Sequence, residues 1–175
     1  FRWLDEDRAP AGLTDMSLPL DDFRSLQPDV ENVFITENKI NGLIFPKVKN
    51  SIVIFGLGGG IDILREVDWL QGKRLLYWGD IDTHGFAILA RLRKILPRTE
   101  SFLMDDMTFQ SFKIFWVKEA TAYRSDHNRD LLSPEEIALL DEIHAEVDDG
   151  CPRLEQERIP LAYIIKVLKE NFEIF

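Results

Sequence analysis

Cysteine is nearly absent from this chain: Cys151 stands alone among 175 residues. A single thiol excludes an internal disulfide framework and fits a protein kept in a reducing cytoplasm. Long hydrophobic runs are missing as well. The longest apolar stretch, Ile52 to Leu64, is broken by four glycines and Asp62 and is too short to span a bilayer. No secretory signal opens the chain, which begins at Phe1 rather than Met, so it is expected to be the carboxyl-terminal part of something longer. Positive charge is in deficit, with 21 Lys and Arg against 31 Asp and Glu and a formal net charge of −10. That balance argues against indiscriminate nucleic-acid binding, whose phosphate contacts come from Lys and Arg. It leaves room for a nuclease, whose metal-binding centre is itself acidic. Internal repeats and low-complexity tracts are absent too.

What is present is enough for a packed core: 45% hydrophobic residues, including 12 Phe. Residues 1–30, punctuated by Pro10, Pro19 and Pro28, read as an appendage or linker with a short apolar anchor at Leu18, Leu20 and Phe23. Residues 31–175 then alternate regularly. Val33–Thr36 reads as a strand, with a short helical piece through Leu43. Ser51–Phe55 is a β-branched strand, and Ile61–Leu70 carries Ile61, Leu64 and Val67 at helical spacing. Leu75–Trp78 is a third strand before a helix over 86–96, and Ser101–Met104 a fourth before a helix-like run to Trp116. Strands separated by helices predict an α/β fold with a mainly parallel sheet of about four strands. The remainder is helical. Ser133-Pro134-Glu135-Glu136 is a capping box that starts a helix to about Val147, Asp148-Asp149-Gly150 ends it, and Pro160 opens a last amphipathic helix.

The most informative segment is YWGDIDTHG, residues 77–85, where Asp80 and Asp82 lie between a strand and a helix. Ligands of open α/β sheets bind at the carboxyl ends of strands. Side chains two apart on extended backbone point the same way. Two carboxylates about 5 Å apart repel by roughly 3 kcal/mol at an effective dielectric near 20. Protonation, solvent or a cation must offset that, and hard cations prefer carboxylate oxygens. The alternative is a turn in which Asp82 or Thr83 caps the following helix. Glu37 ends the first strand in VFITENK, so in a parallel sheet it shares a rim with the aspartate pair. Three carboxylates without nearby His or Cys suit Mg²⁺ or Mn²⁺ rather than Zn²⁺; the alternative for Glu37 is a first-turn charge facing a helix dipole.

Other motifs carry less. Gly56-Leu57-Gly58-Gly59-Gly60 follows a strand, but Ile61 takes the third glycine position of a dinucleotide fingerprint and no Gly-Lys-Ser/Thr follows. A turn or tight packing explains it better than phosphate binding. Arg91, Lys94 and Arg98 share a helix face that either contacts DNA or is simply solvated. Residues 120–132, with Arg124, Asp126, His127, Asn128, Arg129 and Asp130, form a polar loop that reaches a substrate or is merely exposed.

A glutamate on the first strand's end followed by D-x-D on a later strand resembles the Toprim pattern of topoisomerases, primases and related nucleases. The fuller series FITENK, IFGLGGG, YWGDIDTHGFAILARLR, SFLMD and RLEQERI, over roughly residues 31–170, resembles the carboxyl-terminal half of JetD. JetD is the nuclease subunit of the Wadjet plasmid-defence system and is similar to type IIB topoisomerase A subunits. The resemblance implies a Toprim-like domain whose Glu37, Asp80 and Asp82 match the family's acids. It adds Asp105, Glu155 and Glu157 as supplementary acids, though capping or pairing with Arg153 or Arg158 explains the last two nearly as well. It further implies Mg²⁺ or Mn²⁺, double-stranded plasmid DNA, an SMC-type motor partner, an amino-terminal DNA-binding winged-helix region and a homodimer.

The expected chemistry is phosphodiester hydrolysis, with Lys39 neutralising phosphate charge if it faces the rim. Tyr77 and Tyr163 read as packing residues, and Tyr123 lies near the polar loop. Two rivals stand beside this reading. Asp80 and Asp82 also resemble the start of a haloacid-dehalogenase phosphatase, although His84 departs from that pattern and Glu37 is left without a role. The other rival is a Toprim-like interaction module whose acids serve as caps.

Overall fold

Three parallel strands form the centre of the computed structural model, which describes residues 1–119, 128–145 and 150–175. They are β2 (Asn32–Thr36), β3 (Ser51–Phe55) and β4 (Arg74–Trp78). Their near-continuous apolar sequences suit a sheet covered on both faces. Val33, Phe34, Ile52 and Val53 are fully buried. On one face Phe34 packs against Phe45, Phe102 and Phe172 at ring separations of 4.7, 5.5 and 5.2 Å. The register sets Thr36 opposite both Phe55 and Trp78, so the three strands end at one edge.

Two short strands complete the sheet. β5 (Glu100–Ser101) runs parallel to β4, and β1 (Arg2–Trp3) runs antiparallel to β3, giving the order β1-β3-β2-β4-β5. This is a mixed α/β architecture with a mostly parallel sheet flanked by helices, consistent with a Toprim-like fold. The first 30 residues contribute β1, buried Trp3 and Leu4, and α1 (Leu20–Ser25). Buried Asp5 accepts from the Asn50 backbone N–H at 2.8 Å, and Phe23 packs against Phe1 and Trp69.

Helices follow the strands: α2 (Lys39–Leu43) after β2, α3 (Thr83–Ile95) after β4 and α4 (Asp106–Ser111) after β5. Three expectations need correction. The Ile61–Leu70 stretch is not α-helical but forms 3₁₀ turns over Gly58–Glu66 and Asp68–Gly72. Its buried residues Ile61, Leu64, Val67 and Leu70 recur every three positions, which is the 3₁₀ period rather than 3.6. The fourth strand stops at Ser101, because Leu103 turns the chain with φ of 58°. Asp105 is therefore the N-cap of α4, donating no strand-end carboxylate; its side chain accepts from the Thr108 N–H at 2.7 Å. The run to Trp116 is also broken, into α4 and a 3₁₀ turn at Lys113–Phe115.

A small antiparallel pair, β6 (Val117–Lys118) with β7 (Pro152–Arg153), lies beside α5 (Pro134–Ala145) and α6 (Leu161–Asn171) in sequence. The capping box at the start of α5 is formed in both directions, between Ser133 Oγ and the Glu136 N–H and between Glu136 Oε2 and the Ser133 N–H. Tyr123, Arg124, Asp126, His127 and the Asp148-Asp149 break lie outside the described residues. Among the described residues no helix is long and apolar enough to cross a membrane.

One buried ion pair joins the helical layers. Arg93 of α3 holds Glu136 through both guanidinium nitrogens and also donates to the Thr99 and Leu131 carbonyls at 2.8 and 3.0 Å. Burial alone would raise the Glu136 carboxyl, but hydrogen bonds from Arg93, Ser101 and Ser133 outweigh it and hold the carboxyl below its usual range. A depressed acid contributes stability above its unfolded pKa and loses it as pH falls through the folded value. Glu136→Gln should therefore cost about 3–5 kcal/mol in urea denaturation at pH 7, because it strands Arg93. The gap to wild type should narrow below about pH 4. A gap unchanged between pH 7 and 3 would contradict this account.

Candidate functional site

Adjacent parallel strands deliver the acids to one edge. Since Thr36 pairs with Trp78, Glu37 leaves β2 beside the end of β4, and its N–H donates to the Trp78 carbonyl at 3.2 Å. Two residues beyond Trp78 comes Asp80, whose backbone N–H bonds to the Glu37 carboxylate. Tyr77 also serves Glu37: its hydroxyl donates to Oε2 at 3.3 Å. The Tyr77 ring is buried, so its role goes beyond the packing expected of it.

The D-x-D pair is held from a distant segment. Ile81 and Leu154 form an antiparallel bridge, with N–H to carbonyl distances of 2.9 and 3.1 Å. That register sets Arg153 alongside Asp82 and Glu155 alongside Asp80. Arg153 Nη2 donates to Asp80 Oδ2 at 2.6 Å, and its Nε lies 3.4 Å from Asp82 Oδ2. The other Asp80 oxygen accepts the Gln156 N–H at 2.9 Å. Fully buried Gln156 ties the edge together, donating to the Trp78 carbonyl at 2.7 Å and accepting the Asn38 N–H at 3.0 Å.

Asp82 has a second task. As N-cap of α3 it accepts the Gly85 N–H at 2.7 Å, so the capping alternative is part of the structure. The helix starts so close to the strand end that a Cβ on Gly85 would lie 2.0 Å from the Asp80 carbonyl oxygen. Only glycine fits there. Glu119, a buried acid that no sequence motif singles out, accepts from Thr83 Oγ1 at 2.7 Å and lies 3.6 Å from His84 Nε2.

Electrostatics at this edge are consistently strained. Burial, then the charges of Asp80 and Asp82, raise the Glu37 carboxyl despite its hydrogen bonds. Burial also raises Asp80, with Asp82 adding to it while the Gln156 N–H and Arg153 oppose. Asp82 is raised by burial and by Glu119, against the Gly85 N–H, Arg153 and His84. One guanidinium does not neutralise this set. The donors are all carboxylate oxygens, as Mg²⁺ or Mn²⁺ requires. Among the described residues, however, no three such side chains are arranged to hold one ion. Arg153 pairs with both Asp80 and Asp82.

The other expected acids and bases are placed variously. Glu155 pairs with Arg153 and Arg158, each at 3.4 Å, and Glu157 accepts from Asn38 Nδ2 next to Glu37. Asp105 caps α4. Lys39 is exposed at the first turn of α2, one residue beyond Asn38. The expected basic set does not share one helix face: Lys94 lies 11 residues, about 16 Å, along α3 from Thr83, and Arg98 lies beyond the helix, which ends at Ile95. Arg91 is paired with Asp62, and Arg98 donates to the Gln71 carbonyl at 3.0 Å. Arg153, Gln156 and Tyr77 were missed as site residues. The RLEQE motif was the available signal for the first two.

Gly56 turns the chain after β3 with φ of 76°, and a 3₁₀ turn follows, as a turn reading of the glycine cluster requires. No curated protein matches this sequence. The family described as "Wadjet protein JetD, C-terminal" matches residues 1–168, nearly the whole chain. With its mostly parallel sheet and its acid-bearing edge, the chain belongs to this JetD carboxyl-terminal family.

Proposed function

We propose that this chain carries a metal-dependent nuclease centre of the Toprim type, which cuts double-stranded plasmid DNA by phosphodiester hydrolysis in Wadjet defence. The observation that carries this reading is the convergence of Glu37, Asp80 and Asp82 at the ends of two adjacent parallel strands, each carboxyl raised in pKa. Family membership supports the setting: a Wadjet complex, with an SMC-type motor and a second copy of the nuclease as proposed partners.

Bound at these carboxylates, Mg²⁺ or Mn²⁺ would polarise the scissile phosphate and stabilise the departing oxygen. Asp80 and Asp82 are the proposed ligands. Asp80 is fixed by the backbone N–H of Gln156 and Asp82 by that of Gly85, so neither needs the side-chain cation to keep its place. Glu37 is a ligand or the proton acceptor; its raised pKa suits it to take a proton from attacking water, and the Tyr77 hydroxyl holds it in position. Lys39 is the nearest candidate for a phosphate contact, while Arg91, Lys94 and Arg98 serve DNA only away from this edge. Glu155 and Glu157 flank the centre as supplementary acids.

A tyrosine nucleophile is disfavoured among the described residues. Burial and the neighbouring Glu37 drive the Tyr77 hydroxyl well above its ordinary pKa, and Tyr163 packs edge-on against Phe112. The reading as an interaction module draws support from Asp82 capping α3 and Asp80 pairing with Arg153. Metal binding separates the two. Mn²⁺ or Mg²⁺ should bind in the millimolar range or tighter and raise the melting temperature. Asp82→Asn should weaken that response while melting near wild type without metal, because Asn caps a helix as well as Asp. Calorimetry without divalent binding by the wild type would favour the module.

Cleavage separates nuclease from phosphatase. In the protein assembled with its Wadjet partners, Glu37→Gln should lower cutting of labelled circular DNA by about 100-fold or more with circular dichroism unchanged. Wild-type products should run as free DNA after denaturation. Label that stays with protein until protease is added would transfer the attack to a side chain. Undiminished activity in Glu37→Gln, with a trapped aspartyl-phosphate on Asp80, would establish the phosphatase instead.

A further inference from the structure

The edge that gathers the acids is closed by a cation of the chain's own. Arg153 reaches both members of the D-x-D pair, 2.6 Å from Asp80 and 3.4 Å from Asp82. Its side chain is only 27% exposed, and its Nε is buried without a hydrogen-bond acceptor. The guanidinium thus makes one short hydrogen bond, to Asp80, and meets Asp82 through charge alone. A second carboxylate is already in reach, since Nη2 lies 3.4 Å from Glu155 Oε1.

We propose that Arg153 is a built-in counter-ion that occupies the cation position between Asp80 and Asp82 and must swing toward Glu155 when a divalent metal enters. This rests on the proposed metal centre at those aspartates. Three features of the edge make the exchange possible. Asp80 and Asp82 keep their backbone N–H partners after Arg153 leaves, so the ligand oxygens do not collapse. The Ile81–Leu154 bridge anchors the Arg153 backbone, so only the side chain has to move. The Nε donor meets Asp82 at 3.4 Å without a hydrogen bond, so the bond from Nη2 to Asp80 is the one that the exchange gives up.

Closed and metal-bound forms are then mutually exclusive, and the measured metal affinity is the intrinsic affinity reduced by the fraction of chains already open. Arginine thus stabilises the metal-free fold and sets a threshold for loading. The test is titration of MnCl₂ by calorimetry into wild type, Arg153→Gln and Arg153→Lys, with melting curves with and without Mn²⁺. Arg153→Gln should bind roughly tenfold tighter than wild type. It should melt lower without Mn²⁺, through uncompensated aspartates, and gain more on adding it. Arg153→Lys, which keeps one charge but cannot bridge two carboxylates, should fall between them and remains informative if Arg153→Gln folds poorly.

Equal or weaker Mn²⁺ binding by both variants, with binding by the wild type intact, would overturn the counter-ion and leave the metal centre standing. An Arg153→Gln melting curve identical to wild type without Mn²⁺ would also overturn it. Absence of binding in all three proteins would overturn the inference together with the metal centre beneath it.

Discussion

Everything at the acidic edge depends on the parallel register of β2 and β4. With Thr36 opposite Trp78, Glu37 and Asp80 must emerge side by side, and a slip of one residue would send Glu37 to the other face of the sheet. Gln156 locks that register from outside. Its side-chain amide bonds the Trp78 carbonyl, which also accepts the Glu37 N–H, and the Asn38 N–H just past the end of β2. A buried glutamine with both ends satisfied specifies position in a way an apolar residue cannot. The close approach of α3 to the strand end, which only Gly85 permits, adds a second constraint on the same few residues.

The strain of this arrangement is electrostatic. Burying several carboxylates within reach of one another is unfavourable unless charge or hydrogen bonds compensate. The chain compensates partly, through backbone N–H donors from Gly85, Gln156 and Asp80, the Tyr77 hydroxyl and the single guanidinium of Arg153. The remainder is left as raised pKa values at Glu37, Asp80 and Asp82. Local destabilisation of this kind gathers at functional sites, because a ligand that relieves it gains differential binding. At buried Glu136 the balance is the reverse. Glu136 faces Arg93 with its carboxyl held low, and the contrast marks which pair is structural.

The central strands and the D-x-D were legible because their signals are local: unbroken apolar runs and a spacing of two. The helix after the aspartates was equally plain, though it starts at Thr83 rather than Phe86 because the Asp82 cap, one of two readings of that turn, is formed. Short elements were harder. β5 shrinks to two residues because Leu103 takes a left-handed conformation, and no pattern in SFLMD announces that. The 3₁₀ stretch was readable in principle, since a strict repeat of three over Ile61, Leu64, Val67 and Leu70 differs from an α-helical stripe. The parts of the edge contributed over long sequence separations were the least legible. Arg153 and Gln156 come from more than 70 residues beyond Asp80, and Glu119 looked like any surface acid.

The most direct measurement is a crystal structure of the chain grown with Mn²⁺, with the ion located by its anomalous scattering. A peak coordinated by Asp80 and Asp82, with Glu37 as direct or water-mediated neighbour and Arg153 turned toward Glu155, is the predicted result. Ordered crystals in millimolar Mn²⁺ that show no peak at this edge, with Arg153 still between the two aspartates, would contradict the account.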